Sequence, residues 1–322
     1  MYELAILARG GVLLTVWAVA AGWPRGRLAA RLRRDGWQWI CRGAWAAPGK
    51  EVDWRVRATA LQWLRPELVC SHGTAAALHR IERLGAGDRA AGLLEFTALP
   101  PTGSSRGDRI RVRTTRYLTD HDRTVRRGLR TTTPVRTVGD LIRDAGSREE
   151  AVVVADSALA RRAVAGVRRE PLVRYEELAA ELAVTRRGAA HARTWLPPAE
   201  PTSGSPAETV ARLRIRDAWL FPESQPTLRT ADGRLLLRPD FLFRAEGLAV
   251  EVEGYAFHST RGAHERDVAR FNALQSCPEV RRVLRFTADE VFHRPDRMTA
   301  TIRSALAMLT SARLPPYSSV PL

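Results

Sequence analysis

The chain has 322 residues, with 51 basic and 35 acidic side chains and a formal net charge of +16; every cation except Lys50 is an arginine. A single lysine, in the loop Pro48-Gly49-Lys50, excludes a P-loop nucleotide site and a Schiff-base enzyme, since each needs a lysine at its centre. Arginine keeps its proton inside proteins, so proton abstraction is left to carboxylates, histidines and bound metal.

The length predicts about two domains at roughly 150 residues each. A hydrophobic content of 45% suffices for a packed core and excludes wholesale disorder. Cys41, Cys70 and Cys277 lie too far apart for a disulfide framework or a zinc clip, which suits a reducing compartment. The one membrane-like run, Val12 to Trp23, falls well short of the roughly 20 residues that span a bilayer. The opening Met1-Tyr2-Glu3 lacks the positive charge of a secretory signal. These features predict a soluble, cytoplasmic protein with no membrane partner.

Residues 1–50 carry eight cations against two anions, the densest positive charge in the chain. A general bias toward arginine would also scatter cations over any solvated surface. Residues 3–9 read as a short helix ended by Gly10-Gly11. Thr15 caps a second helix that Gly22 stops. Pro24 opens a third, with Leu28 and Leu32 facing inward and Arg27, Arg31, Arg33 and Arg34 outward. Gly36 ends it, and residues 37–49 have strand composition around a turn at Arg42-Gly43. Helix, helix, arginine-rich helix and β-ribbon is the order of a winged helix-turn-helix, whose third helix enters the DNA major groove. About 48 residues here resemble the N-terminal domain of AbiEi-type antitoxins, which are transcriptional autoregulators. The resemblance implies DNA as the partner and Arg27, Arg31 and Arg34 as nucleic-acid contacts. Val16, Trp17 and Val19 depart from it by being apolar.

In the middle of the chain, helices are expected over Trp54 to Leu64 and from Ser71 to Arg83. Ser71 is read as a helix cap; adjacent helical residues do not face each other, so Ser71-His72 is set aside as a nucleophile pair. Strand-like runs at Leu93 to Leu99 and Arg109 to Thr115 predict a hairpin. Its connecting loop contains a literal G-x-S-x-G, Gly103 to Gly107, which lacks the strand-to-helix setting of a hydrolase elbow. His121, between Asp120 and Asp122, reads as a solvated turn. A long helix is expected from Glu149 to Arg161, with alanine-rich helices onward to about Trp195. The Pro-, Ser- and Gly-rich stretch 197–206 marks a boundary.

After it, Ser205-Pro206-Ala207-Glu208 opens a helix. Strands are expected at 235–243, 248–254 and 280–286, with a helix between the last two. The turn Arg244-Ala245-Glu246-Gly247 predicts an antiparallel hairpin whose register sets Asp240 directly opposite Glu251. Period-two alternation adds Glu253 to the same face. Three acids between apolar neighbours repel one another unless protonated or bound to a cation. A hard divalent ion, Mg²⁺ or Mn²⁺, resolves that conflict, and such an ion can polarise a phosphate and activate water.

Arg238-Pro239-Asp240-Phe241, Glu251-Val252-Glu253-Gly254, His258 and Val283 to Thr287 together resemble PD-(D/E)XK nucleases, in the branch similar to very-short-patch-repair endonucleases. Domains of this kind, with no assigned function, occur in actinobacterial proteins behind an AbiEi-like N-terminus. The match covers about residues 203–297. It implies Asp240 and Glu251 as metal ligands and Glu208 as a further acidic contributor. Glu253 stands where the family has its lysine, and His258 would serve as general base or orient the phosphate. Arg266 and Arg270, one helical turn apart, suit phosphate contacts, and Gln225 stands where the family often has glutamine. Each residue also has a plainer role: Glu208 as the end of a capping box, Glu251 as a partner of Arg238, His258 as a surface side chain. His264 and His293 carry no expected function.

The expected class is α/β in the α+β sense. Residues 1–50 would form the winged helix, 51–200 a mixed helical region, and 201–315 a restriction-endonuclease-like domain with a central mixed sheet flanked by helices. The expected function is a Mg²⁺-dependent DNA endonuclease or nickase with Asp240, Glu251, Glu253 and His258 as its catalytic set. The alternative is a non-catalytic DNA-binding regulator of the antitoxin type.

Overall fold

The computed structural model describes residues 3–85, 92–103, 105–107, 109–164, 166–230, 232–233, 236–253 and 261–311. Helices and mixed sheets combine in an α+β class. The chain divides into two compact units, Met1–Ile81 with Gly85–Leu141, and Glu82–Leu84 with Ile142–Leu322.

The first unit begins with α1 (Leu4–Leu7), β1 (Val12–Leu14), α2 (Thr15–Ala20), α3 (Arg25–Arg34), β2 (Gln38–Cys41) and β3 (Ala44–Ala46). This is the expected order with one addition: β1 joins the ribbon to give an antiparallel sheet in the order β1-β3-β2. Thr15 does not cap α2. The strand runs straight into the helix, Leu14 takes the cap position, and the Thr15 amide donates to the Gly43 carbonyl at 2.9 Å. Leu28 and Leu32 bury one stripe of α3 against Leu13, Ala18, Trp37 and Trp45. Val16 and Val19 remain exposed on α2, while Trp17 packs on Trp63 with ring centroids 5.2 Å apart.

The same unit continues through α4 (Trp54–Leu64), β4 (Val69–Cys70), α5 (His72–His79), β5 (Leu94–Ala98), β6 (Ser105–Gly107), β7 (Ile110–Thr114), β8 (Arg123–Arg126) and β9 (Leu129–Thr132) into α6 (Pro134–Asp144), within which the division between the units falls after Leu141. The strands make one sheet in the order β6-β7-β5-β4-β9-β8. β5 and β7 are parallel, so the expected hairpin between them is corrected: β6 forms inside the connection and pairs antiparallel with β7 instead. The G-x-S-x-G segment thus leads into an edge strand rather than a helix.

Ser71 occupies the cap position of α5, yet its side chain makes no cap hydrogen bond. The Glu95 carboxylate takes that role from β5, accepting from the Gly73 amide at 2.8 Å. Ser71 Oγ instead accepts from Thr97 and lies 3.0 Å from His72 Nδ1. His72 begins the helix at φ +46°, a left-handed conformation that lets its ring meet the preceding residue. The expectation that the two side chains do not meet is therefore corrected. Both are buried. The helix also stops earlier than expected, at left-handed Arg80.

The second unit comprises α7 (Arg148–Leu159), β10 (Arg162–Val164), β11 (Val167–Arg169), α8 (Tyr175–Ala183), α9 (Ala189–Trp195), α10 (Pro206–Asp217), β12 (Glu223–Ser224), β13 (Leu228–Arg229), β14 (Leu236–Leu237), β15 (Phe241–Phe243), β16 (Leu248–Glu253), α11 (Arg261–Gln275), β17 (Arg282–Thr287), α12 (Ala288–His293) and α13 (Pro295–Ser311). Where alanine-rich helix was expected after Arg161, β10 and β11 form a hairpin around Gly166. The expected strand 235–243 is split. Pro239 cannot donate to a ladder, so Leu236–Leu237 pairs with β13 and Phe241–Phe243 pairs with β12 and β16.

The principal sheet runs β12-β15-β16-β17, with β15–β16 antiparallel and β16–β17 parallel. Phe241, Phe243, Leu248, Val250 and Val252 pack with Ala207, Val210 and Ile215 of α10 and Ile302 of α13. The alternate positions Leu242 and Ala249 pack with Leu274, Cys277 and Val280. The sheet is thus clad by α10, α12 and α13 on one face and by α11 on the other.

The stretch 197–206 lies inside this unit. The buried Arg212 donates to the Pro198 carbonyl at 2.7 Å and to Ser203 Oγ at 3.4 Å, and it pairs with the buried Asp156 of α7 at 2.7 Å. Asp156 also accepts from the Glu200 amide and the Thr209 hydroxyl. Proline and serine here make a strap between two helices rather than a linker. Among the described residues, no helix is long and apolar enough to cross a membrane.

Candidate active site

The observed hairpin pairs Phe241 with Val250, Leu242 with Ala249 and Phe243 with Leu248. That is the register expected from the turn, and its continuation places residue 240 opposite 251. Asp240 precedes β15, where its carboxylate supplements the backbone ladder: Oδ2 accepts from the Val252 amide at 2.7 Å. Its Oδ1 accepts from Gln225 Nε2 at 2.8 Å.

Gln225 is held by its own backbone, whose amide donates to the Asp240 carbonyl at 2.9 Å while φ is +48°. The same Nε2 donates to Glu208 Oε2 at 3.0 Å. One side-chain amide therefore joins two carboxylates. Glu208 is brought there by the start of α10. Ser205 Oγ accepts from the Glu208 amide at 3.2 Å, and Glu208 Oε2 accepts from the Gly204 amide at 2.6 Å. A side chain at 204 would crowd that carboxylate, since a Cβ would sit 3.2 Å from both oxygens. Glu208 is thus both a capping residue and a member of the acidic set.

The charges in this set press on one another. Burial, then the Asp240 charge, pushes the Glu208 carboxyl up to about 7, against the Gly204 and Ser205 hydrogen bonds and the Arg162 charge. Burial also raises Asp240, to about 6; the Val252 amide opposes, the Glu251 charge adds, and Arg270 and Gln225 oppose. Desolvation and like charge both favour the neutral acid, as expected for carboxylates brought together out of water.

Glu251 is buried on the α11 side and accepts from Arg270 Nη2 at 2.7 Å; the same nitrogen donates to the Arg238 carbonyl at 3.0 Å. The plainer role that paired Glu251 with the Arg238 side chain therefore gives way to Arg270. Glu253, less enclosed, pairs with Arg285 at 2.9 Å, and the Arg285 guanidinium lies 5.0 Å from the Phe271 ring centre. His258 falls outside the described residues, and the side chain of Arg266 is likewise not described. Arg27, Arg31 and Arg34 belong to the first unit, spaced along α3. Arg31 Nε pairs with Asp35 at 2.5 Å, and Arg34 lies 3.9 Å from the same carboxylate.

Sequence reasoning missed Arg162. Its side chain is wholly enclosed and paired with Glu82, and among the described residues its Nε and Nη2 make no hydrogen bond. It comes from the segment expected to be helix, so no spacing pointed to it. Asp156 carried a signal that went unused: a lone acid within Ala151-Val152-Val153-Val154-Ala155 and Ser157-Ala158-Leu159.

The oxygen donors of Glu208, Asp240 and Glu251 suit a hard divalent cation, which would offset the repulsion that lifts the first two. As they stand, no three His, Cys, Asp or Glu side chains among the described residues are grouped to hold a metal ion.

No family model matches the chain, and no curated protein matches it. Among solved structures it is similar to the crystal structure of the RV2827C protein from Mycobacterium tuberculosis, at 18% identity and a TM-score of 0.42, covering 72% of this chain and 89% of that one. A likeness of that size carries neither mechanism nor function across.

Proposed function

We propose that the second unit is a divalent-metal-dependent nuclease domain acting on DNA, with Asp240, Glu251 and Glu208 as the cation-holding set. One observation carries this reading: the buried Glu208 and the half-buried Asp240 share the Gln225 amide, and desolvation together with a like charge lifts them to about 7 and 6, the like charge being Asp240 for Glu208 and Glu251 for Asp240. A fold that retains this repulsion gains from a cation at that point. When bound, Mg²⁺ or Mn²⁺ would supply Lewis-acid polarisation of a phosphodiester. The chain's own residues do the rest. Gln225 fixes the spacing of the two carboxylates, the Val252 amide orients Asp240, and Arg270 offers a guanidinium for phosphate. Glu253 is less enclosed than Glu251, and with His258 it is our candidate for accepting a proton.

The α3 arginines fit the same reading, since cations spaced along one helix suit a DNA backbone. Calorimetric titration of Mg²⁺ and Mn²⁺ into the wild type and Asp240→Ala, beside cleavage assays on duplex, nicked and single-stranded DNA, tests it. Binding and cleavage that vanish together in a folded Asp240→Ala variant support the proposal. A wild type that binds neither ion and cuts none of these DNAs sinks it.

A second reading has its own observation. Glu251 and Glu253 each already face an arginine, Arg270 and Arg285, so internal cations satisfy half of the acidic set. That arrangement suits a non-catalytic DNA-binding regulator whose second unit is a scaffold. It predicts promoter binding without divalent ions and no cleavage under any of the conditions above.

A further inference from the structure

We infer that Arg270 makes cation binding and phosphodiester binding interdependent: it is the counter-ion of Glu251 before a divalent ion arrives, and a phosphate ligand once the ion has taken Glu251. The inference rests on the nuclease reading and concerns how that site is regulated.

The ion pair is asymmetric. The Glu251 side chain is 7% exposed and that of Arg270 is 45% exposed, so the acid is enclosed while the cation reaches the surface of α11. A carboxylate so enclosed is costly to leave without a positive partner. The guanidinium, by contrast, can leave for water or an anion at little cost. Arg270 commits a single nitrogen, Nη2, which is shared between Glu251 Oε1 and the Arg238 carbonyl. Among the described residues, its Nε and Nη1 make no hydrogen bond; Nη2 belongs to both edges of the planar fork, so a bidentate phosphate contact opens only when that nitrogen leaves Glu251. Arg270 reaches Glu251 through Oε1. A divalent ion that takes this oxygen displaces Arg270, and a displaced Arg270 sits at the rim of the site with an unspent charge.

The coupling is reciprocal by thermodynamic necessity: if the cation strengthens DNA binding, DNA strengthens cation binding by the same factor. The experiment measures both legs in the full-length protein. Mn²⁺ affinity without DNA is read by calorimetry. Affinity for a short fluorescent DNA duplex is read by anisotropy with and without Ca²⁺, chosen as a hard ion to occupy the site. Arg270→Ala removes the competitor, and Arg270→Gln keeps a hydrogen-bond donor while removing the charge.

In the wild type, Ca²⁺ raises DNA affinity by about 5-fold or more, the lower range of typical coupling. Both variants bind Mn²⁺ more tightly than the wild type, and both lose the Ca²⁺-dependent gain in DNA affinity. Unchanged or weaker Mn²⁺ binding in the variants, or a Ca²⁺ gain that survives in them, overturns the coupling while leaving the nuclease reading intact. A wild type that binds no divalent ion overturns both. Since Arg270 is exposed, circular dichroism of the variants is expected to match the wild type, and Arg270→Gln decides the outcome if Arg270→Ala does not fold.

Discussion

Glu208 and Asp240 hydrogen-bond to the same nitrogen, Gln225 Nε2, at 3.0 and 2.8 Å. The amide holds together two groups that repel, and the fold retains the repulsion instead of relieving it. Natural cores avoid paired acids unless protonation or a cation offsets them.

The first prediction concerns pH. Both carboxyls bind protons more tightly in the folded chain than in the unfolded one, where each reverts to the ordinary carboxylate range near 4. Between about pH 4 and pH 7 the folded state therefore holds more protons, and stability falls as pH rises through that window. Above it the loss is complete, at about 1.4 kcal/mol for each tenfold change in proton affinity. Urea denaturation of the metal-free protein across this range measures the slope. A flat or rising contribution from these groups would contradict the arrangement.

Glu208→Gln isolates the effect. Its amide oxygen can still accept from Gly204 and Gln225, while the charge is gone. At pH 4, where both acids are protonated, variant and wild type should have similar stability. At pH 8 the variant should be more stable by about 3 kcal/mol. Adding Mg²⁺ at pH 8 should narrow or reverse that gap by stabilising only the wild type. The proposed cation site fails this test if Mg²⁺ shifts both proteins equally.

Arg212→Met tests the strap at 198–203. The variant leaves Asp156 enclosed with no guanidinium, where burial already pushes its carboxyl up against the Arg212 charge. Removing one member of a buried pair costs about 3–5 kcal/mol. The double variant Asp156→Asn with Arg212→Met should recover part of that loss. Chemical denaturation of the three proteins decides it.

DNA contact through α3 gives the fourth prediction. Asp35 engages Arg31, so Asp35→Asn releases that cation and should strengthen non-specific DNA binding. Reversing both Arg31 and Arg34 to Glu should weaken it and make the log–log salt dependence shallower by about 2, for two lost phosphate contacts. Anisotropy titrations at several salt concentrations measure both. Equal slopes in the reversed variant and the wild type would count against α3 as the contact.

The parts of this fold legible from sequence were those with strong local signals. α4 begins and ends where its pattern placed it, Pro24 precedes α3 as expected, and the turn at 244–247 set the β15–β16 register residue by residue. The acidic pair followed from that register. What stayed hidden depended on distant partners. Ser71 was read as a side-chain cap because nothing local revealed that Glu95, 24 residues on, would take the Gly73 amide. The strand 235–243 read as continuous because apolar periodicity outweighed Pro239. Composition marked 197–206 as a break, and the long reach of Arg212 was invisible to it. Glu208 was read as the end of a capping box and as a further acid of the site; Ser205 does cap its amide, while its carboxylate accepts from the Gly204 amide in place of Ser205 and is thereby aimed at Gln225.

The Arg212–Asp156 knot also determines how the acidic half can travel. A truncation or recombination point near residue 200 would keep Arg212, Glu208 and the sheet but strand the buried guanidinium without Asp156. A cassette that begins near residue 142 carries both members of the pair and the strap between them. Shuffled relatives that remain folded should therefore carry α7 together with α10 and the sheet, and a block of 142–311 alone would still leave the enclosed Arg162 without Glu82.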